Sequence, residues 1–298
     1  MTSTRASASL LAGLVDDAGL FPPAALSMTD AVRRHREDLA AGEAVLTHRF
    51  LCAASRIAEL REELDDGDRF RVGLIADADG LAATVAEIEA DARLTLAAIE
   101  FPLARARRAD PVGALTAAQG AVDAVVADDV PLFVEPVELS DVDRLAAAVA
   151  ADRSPRAVGL KIRCGGASQD LFPAPEALGA AVVTVVERGV VMKATAGLHH
   201  AVRYTDPDTG LLHHGYLNLL LAVADAQAGG VAGEVAATLR ITDPAVLLHR
   251  LAELDDARAR AVRNTFASYG SCSTRVPVAE AREMGMLQDE QRQTGATR

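Results

Sequence analysis

The 298-residue chain carries 30 basic residues, and only two of them, Lys161 and Lys193, are lysines. Lysine is normally among the commonest residues of a soluble domain. In a composition rich in Ala, Val, Arg, Asp and Gly, arginine has taken over wherever either cation serves. A retained lysine therefore marks a position where a guanidinium cannot do the work. The chemistry that separates the two is nucleophilic. A neutral ε-amine adds to a carbonyl and forms a Schiff base, whereas a guanidinium does not deprotonate in a protein. The resulting iminium is an electron sink for making or breaking a carbon–carbon bond. The bland alternative is that the two lysines merely pair with acids such as Glu100 and Glu135.

Their position depends on the elements that carry them. Apolar, β-prone stretches fall at Gly13–Asp17, His48–Ala53, Arg71–Asp77, Leu94–Phe101, Pro131–Pro136, Ala157–Arg163, Val190–Thr195 and Thr265–Ser271. Amphipathic Ala-rich segments separate them, at Thr29–Ala41, Ile57–Leu64, Leu81–Asp91, Val112–Val126, Ser140–Ala151 and Pro175–Glu187. Start signals accompany several, such as a cap near Ser27, Ser140 with Asp143 three residues on, and Pro175 in a first turn. Strands alternating with helices predict a parallel α/β sheet, and eight such units predict a single (β/α)8 TIM barrel over residues 1–287. The alternative, an open doubly wound sheet, lacks a Gly-rich dinucleotide turn after the first strand. The interval before the eighth strand is about twice the others and holds a polar loop, His199–Gly215, then helical stretches at Tyr216–Gln227 and Pro244–Leu254. It reads as a long helical insertion at about 199–262, and the polar tail 288–298 as frayed.

Alternation then assigns faces. In strand six Val158, Leu160 and Ile162 face the helices, which leaves Lys161 and Arg163 pointing into the barrel. In strand seven Val191, Lys193 and Thr195 point inward. Both lysines lie near the C-terminal strand ends, the face on which barrels carry their chemistry. The same mouth receives Asp16 or Asp17, Asp77, Glu100 and Glu135. Two adjacent amines are expected to lower each other's pKa, with desolvation acting in the same direction.

The loop after strand seven adds His199, His200, Arg203, His213 and His214. It is read as a source of a proton shuttle near neutral pH, His199 or His200, or of an anion-binding group beside Arg203. Two His doublets with nearby acids and Cys164 or Cys272 are the alternative site, for zinc or another divalent metal, although no spacing is diagnostic. A nucleophilic cysteine ranks below Schiff-base chemistry.

Strand six continues Lys161-Ile-Arg-Cys-Gly165-Gly166, strand seven reads Lys193-Ala-Thr-Ala-Gly197, and strand eight ends Tyr269-Gly-Ser-Cys-Ser273. Over these three strands the chain resembles the class I aldolases of the deoxyribose-phosphate aldolase type. The resemblance implies that Lys161 forms the Schiff base, that Lys193 depresses its pKa, and that Gly197, Gly270 and Ser271 hold an anionic group of the substrate. Leu198 stands in place of the second glycine of that family's phosphate turn. Ile162-Arg163-Cys164 stand in place of its small hydroxyl residues.

The expected activity is a lysine Schiff-base lyase acting on a small carbonyl compound, phosphorylated or carboxylated, with no cofactor. Lys161, Lys193, Glu135 and His199 are the catalytic candidates. Asp16, Asp17, Arg163, Gly197, His200, Arg203, Gly270 and Ser271 are the substrate-binding ones. The alternatives are a metal-dependent barrel lyase or hydrolase and a non-catalytic binding barrel. A net charge of −12 argues against a nucleic-acid partner or an anionic membrane, and no apolar run is long enough to span a bilayer. The stretch Leu10–Val15 is too short for a secretory signal. Three scattered cysteines suit a reduced, cytoplasmic setting. Small barrels often associate, so a homo-oligomer is compatible with the chain.

Overall fold

A computed structural model describes residues 2–76, 79–103 and 110–287. The chain begins α1 (Thr2–Leu11), β1 (Val15–Asp17), α2 (Met28–Ala41), β2 (Leu46–Ala53), α3 (Ile57–Glu63) and β3 (Phe70–Ile75). It continues α4 (Leu81–Glu89), β4 (Leu94–Pro102), α5 (Pro111–Asp123), β5 (Leu132–Glu135), α6 (Val142–Ala151), β6 (Val158–Arg163), α7 (Pro175–Glu187) and β7 (Val191–Thr195). A small hairpin follows, β8 (Tyr204–Thr205) and β9 (Leu212–His213). Four helices come next: α8 (Tyr216–Gln227), α9 (Ala232–Leu239), α10 (Pro244–Ala252) and α11 (Asp256–Thr265). β10 (Phe266–Ser271) and α12 (Arg275–Glu283) end the described fold.

The strands close a barrel in the order β1-β10-β7-β6-β5-β4-β3-β2, with every pairing parallel. The chain is thus a (β/α)8 barrel of the TIM type with a helical insertion after β7. The outward residues Ile99, Phe101, Leu132, Val134, Leu160, Ile162, Met192 and Ala194 are all buried. They form the layer between strands and helices, which is why the strands read as apolar alternations.

The insertion is a second layer of helix. α8 is buried along nearly its whole circumference, from Tyr216 to Ala226, as a helix apolar on all sides must be. It packs on α7 and α11, while α9 covers both α7 and α8. Asn218 of α8 pins these parts together. Its amide donates to the Thr238 and Ile241 carbonyls at 2.9 and 2.8 Å, and its oxygen accepts from the Arg203 backbone N–H at 2.9 Å.

Several details depart from expectation. α1, α9 and α11 have no counterpart among the helices expected from the sequence; α1 buries Ala6, Leu10 and Leu11 against α10 and α11. Ser27 does cap α2, accepting from the Asp30 N–H at 3.1 Å. Ser140 does not cap α6: it lies inside a 3₁₀ turn, Leu139–Asp141, that leads into the helix. Asp77 and the tail 288–298 lie outside the described residues.

Gly159 of β6 points into the barrel, where an added Cβ would meet the Val191 carbonyl oxygen at 2.7 Å and the Phe133 ring at 2.9 Å. The backbone oxygen cannot step aside. Gly159→Val is therefore expected to destabilise the protein by about 1–3 kcal/mol in urea unfolding, and an unchanged midpoint would contradict this packing.

Candidate active site

Pairing of β6 with β7 sets Lys161 directly beside Lys193, and both amines are buried. Two ammonium groups at strand spacing repel, and the barrel answers with carboxylates from other strands. Glu100 of β4 lies between them: its Oε2 is 2.7 Å from Lys161 Nζ, and its Oε1 accepts a hydrogen bond from Lys193 Nζ. Lys193 also donates to Asp16 of β1 at 2.7 Å, and its Nζ sits 5.6 Å from the Phe133 ring centre. Lys161 is 3.0 Å from Glu135 of β5. The pattern extends at both ends. Arg49 of β2 is 3.3 Å from Asp16, and Arg163 grips Glu135 at 2.7 and 2.8 Å. Read in order, Arg49, Asp16, Lys193, Glu100, Lys161, Glu135 and Arg163 alternate in sign across the barrel. Asp16 is completed by hydroxyls, accepting from Thr47 and Ser268 at 2.7 Å each.

This arrangement reverses the expected protonation. Burial works to lower the pKa of Lys161, but the charges of Glu100 and Glu135 outweigh it and hold the amine above its ordinary 10.5. The depression expected of Lys161 fails because a carboxylate stands between it and Lys193. Burial likewise works to raise Glu100, and Lys161 and Lys193 bring it below the usual carboxylate value. Asp16 is opposed by burial in the same way, yet Lys193 and Arg49 hold it at about 2.

Above the charges opens a cavity of about 1020 Å³ at the C-terminal strand ends. Lys161, Glu135 and Arg163 line it, and Lys193 does not. Lys161 is thus the amine that faces the space a ligand would occupy. Thr195, Gly197, Gly270 and His199 also border it. Gly197, at φ +74°, lets the β7 loop touch the β6 loop: a Cβ there would lie 2.6 Å from the Cys164 carbonyl oxygen.

Other candidates are used elsewhere. Asp17 faces α2 instead of the mouth, pairing with Arg34 and lying 3.0 Å from His35 Nδ1, because its neighbour Asp16 takes the inward face. Ser271 is buried, and its hydroxyl donates to the Ser273 carbonyl at 2.7 Å. His200 is bound to Glu280 of α12. Arg203 is buried under the hairpin, its Nη1 3.0 Å from His214 Nδ1. None of these four borders the cavity. His199 does border it, but burial, with His213 and His200 nearby, lowers its pKa to about 4. It is held as the neutral imidazole at physiological pH, with one N–H donor and one acceptor nitrogen.

The histidine loop disperses its side chains. His213 Nδ1 is 3.1 Å from the Gly197 carbonyl, and His214 Nε2 is 2.8 Å from the Pro173 carbonyl. Among the described residues no group of three or more His, Cys, Asp or Glu side chains is placed to hold a metal ion. Cys272 Sγ lies 3.6 Å from His199 Nδ1, with burial raising the thiol pKa. Burial pushes Cys164 to about 12. Neither thiol is poised as a thiolate.

Sequence reasoning did not foresee Arg49, Thr47 and Ser268 around Asp16, or the place of His213 and Phe172 in the cavity wall. Ser268 was accessible by alternation, two residues before the inward-facing Gly270. Arg49 and Thr47 needed the barrel closure that sets β2 beside β1.

Two measurements test this network. Glu100→Gln removes the acceptor shared by both lysines and is expected to destabilise folding by about 3–5 kcal/mol, read in denaturant. Asp16, depressed in the folded state, contributes stability that is complete above pH 3.8 and lost as pH falls through about 2, worth roughly 2 kcal/mol. Asp16→Asn should therefore flatten the acid limb of the stability–pH curve in that window; an unchanged limb would remove Asp16 from the network. Comparison with protein family models and with curated proteins finds no match to this chain.

Proposed function

We propose that the protein is a Schiff-base lyase of the class I aldolase type, with Lys161 as the nucleophile. The observation that carries this reading is the placement of Lys161 alone of the two lysines on the cavity surface, with Lys193 in register behind it and carboxylates on both sides. The raised pKa disfavours a free amine at rest, and part of the barrier is removal of that proton. The same carboxylates favour what comes next. A protonated imine carries the charge of the ammonium it replaces, so Glu100 and Glu135 stabilise the iminium as they stabilise the lysine, and an iminium is the better electron sink.

Glu135 is the proton carrier best placed for the sequence, because it touches both Lys161 and the cavity. It takes the ammonium proton, the free amine adds to the carbonyl carbon, and the proton returns as the carbinolamine loses water. In the cleavage direction the bond between the carbons α and β to the iminium carbon breaks, and its electron pair flows into the iminium to give an enamine. The proton of the β-hydroxyl passes to Glu135. Protonation of the enamine carbon and hydrolysis then free Lys161. Arg163, with 43% of its side chain exposed, orients Glu135 from the rim.

The ion pairing of Lys161 also favours a second reading, a binding barrel in which the amine donates a hydrogen bond to a ligand carbonyl without covalent chemistry. Borohydride reduction separates the two. A carbonyl substrate should leave a stable mass increment on the wild-type protein and none on Lys161→Met. Lys193→Met should keep the adduct, since Glu100 retains Lys161 and Asp16 retains Arg49. Ligand binding without any reducible adduct would decide for the binding barrel.

A further inference from the structure

We infer that the carbonyl substrate carries a bulky apolar body, aliphatic or aromatic, and no phosphate; the carbonyl end of this inference rests on the Schiff-base reading above. At about 1020 Å³ the cavity reaches the upper end of small-molecule sites, far more than a triose or a 2-oxo acid fills. Its described walls are largely apolar: Phe21, Pro102, Val137, Leu171, Phe172 and Leu211, from five stretches of chain, line it together with Lys161. Phe172 meets His213 edge-to-face in the wall, 4.6 Å between centres, and Tyr204 backs His213 in a stack at 4.8 Å. His199, neutral at physiological pH, adds another uncharged ring.

Of the groups the sequence offers a phosphate, the Ser271 hydroxyl is bonded to the Ser273 carbonyl, and Leu198 is buried in place of a second glycine. Charge points the same way. Among the described residues lining the cavity the lysine and arginine are Lys161 and Arg163, both ion-paired, against the acids Glu135, Glu138, Asp170 and Asp206. Among these described lining residues a phosphate dianion meets more negative than positive charge, whereas apolar surface gains by burial.

The test is reductive trapping of the full chain, compared at equal concentrations of 3-phenylpropanal, octanal, glyceraldehyde 3-phosphate and pyruvate and read by intact mass. Binding of 3-phenylpropanol, which has no carbonyl, is measured in parallel by calorimetry on wild type, Lys161→Met and Leu171→Asp. The apolar aldehydes should label at concentrations about ten-fold below the phosphorylated one, and Leu171→Asp should weaken phenylpropanol about ten-fold. Phenylpropanol bound by wild type and weakened by Leu171→Asp, with no adduct from any aldehyde, would end the Schiff-base reading and uphold the substrate class. Labelling by glyceraldehyde 3-phosphate or pyruvate at or below the concentration needed for the apolar aldehydes would overturn the substrate class. So would a failure of both apolar aldehydes and phenylpropanol to bind.

Discussion

Everything in the barrel interior answers to one electrostatic requirement: two buried ammonium groups on adjacent strands must be kept apart by negative charge. Glu100 meets it from across the barrel, accepting from Lys193 and pairing with Lys161. A carboxylate between two cations gains from both, and a buried charge without a partner would be expelled by its lost hydration. The flanking charges follow. Lys193 needs Asp16, Asp16 needs Arg49 and two hydroxyls, and Lys161 needs Glu135, which Arg163 holds at the rim. The alternation gives each buried charge an opposite neighbour before any ligand arrives.

Chain topology makes this constellation possible. Its members come from β1, β2, β4, β5, β6 and β7, and only closure of the sheet points them at one axis. Outward residues of the same strands bury themselves under the helices, so each strand serves the apolar layer with one face and the charge network with the other. After β7 the chain spends its extra length on the hairpin, which walls the mouth, and on α8 to α11, which hold that hairpin through Asn218. The network thus lies under a deep and largely apolar cavity, reached through Lys161.

Much of this was legible in the residues. Period-two alternation placed Lys161, Lys193 and Glu135 inward, and the recurrence of strand and helix gave the barrel. The electrostatic outcome was not legible. Counting two inward lysines predicts mutual depression, and only the register across the sheet reveals Glu100 between them. Asp16 and Asp17 are adjacent and chemically identical, yet one enters the network and the other binds Arg34 and His35 behind it; the choice depends on the phase of a three-residue strand. The histidine loop misled for a related reason. Its doublets lie close in sequence, but the hairpin sends His213 to the cavity, His214 under it and His200 to α12. α1 and α9 escaped notice because tertiary burial, more than local pattern, holds them in place.

The most direct test of the electrostatic account is a pH titration of the lysine ¹³Cε resonances in the ligand-free protein. With only two lysines in the chain, the spectrum assigns itself once Lys161→Met removes one signal. Charge alternation predicts that the Lys161 resonance titrates above 10.5, the ordinary lysine value. A midpoint below 10.5 would mean that Glu100 and Glu135 do not govern the amine, and would return the site to mutual depression by the paired lysines.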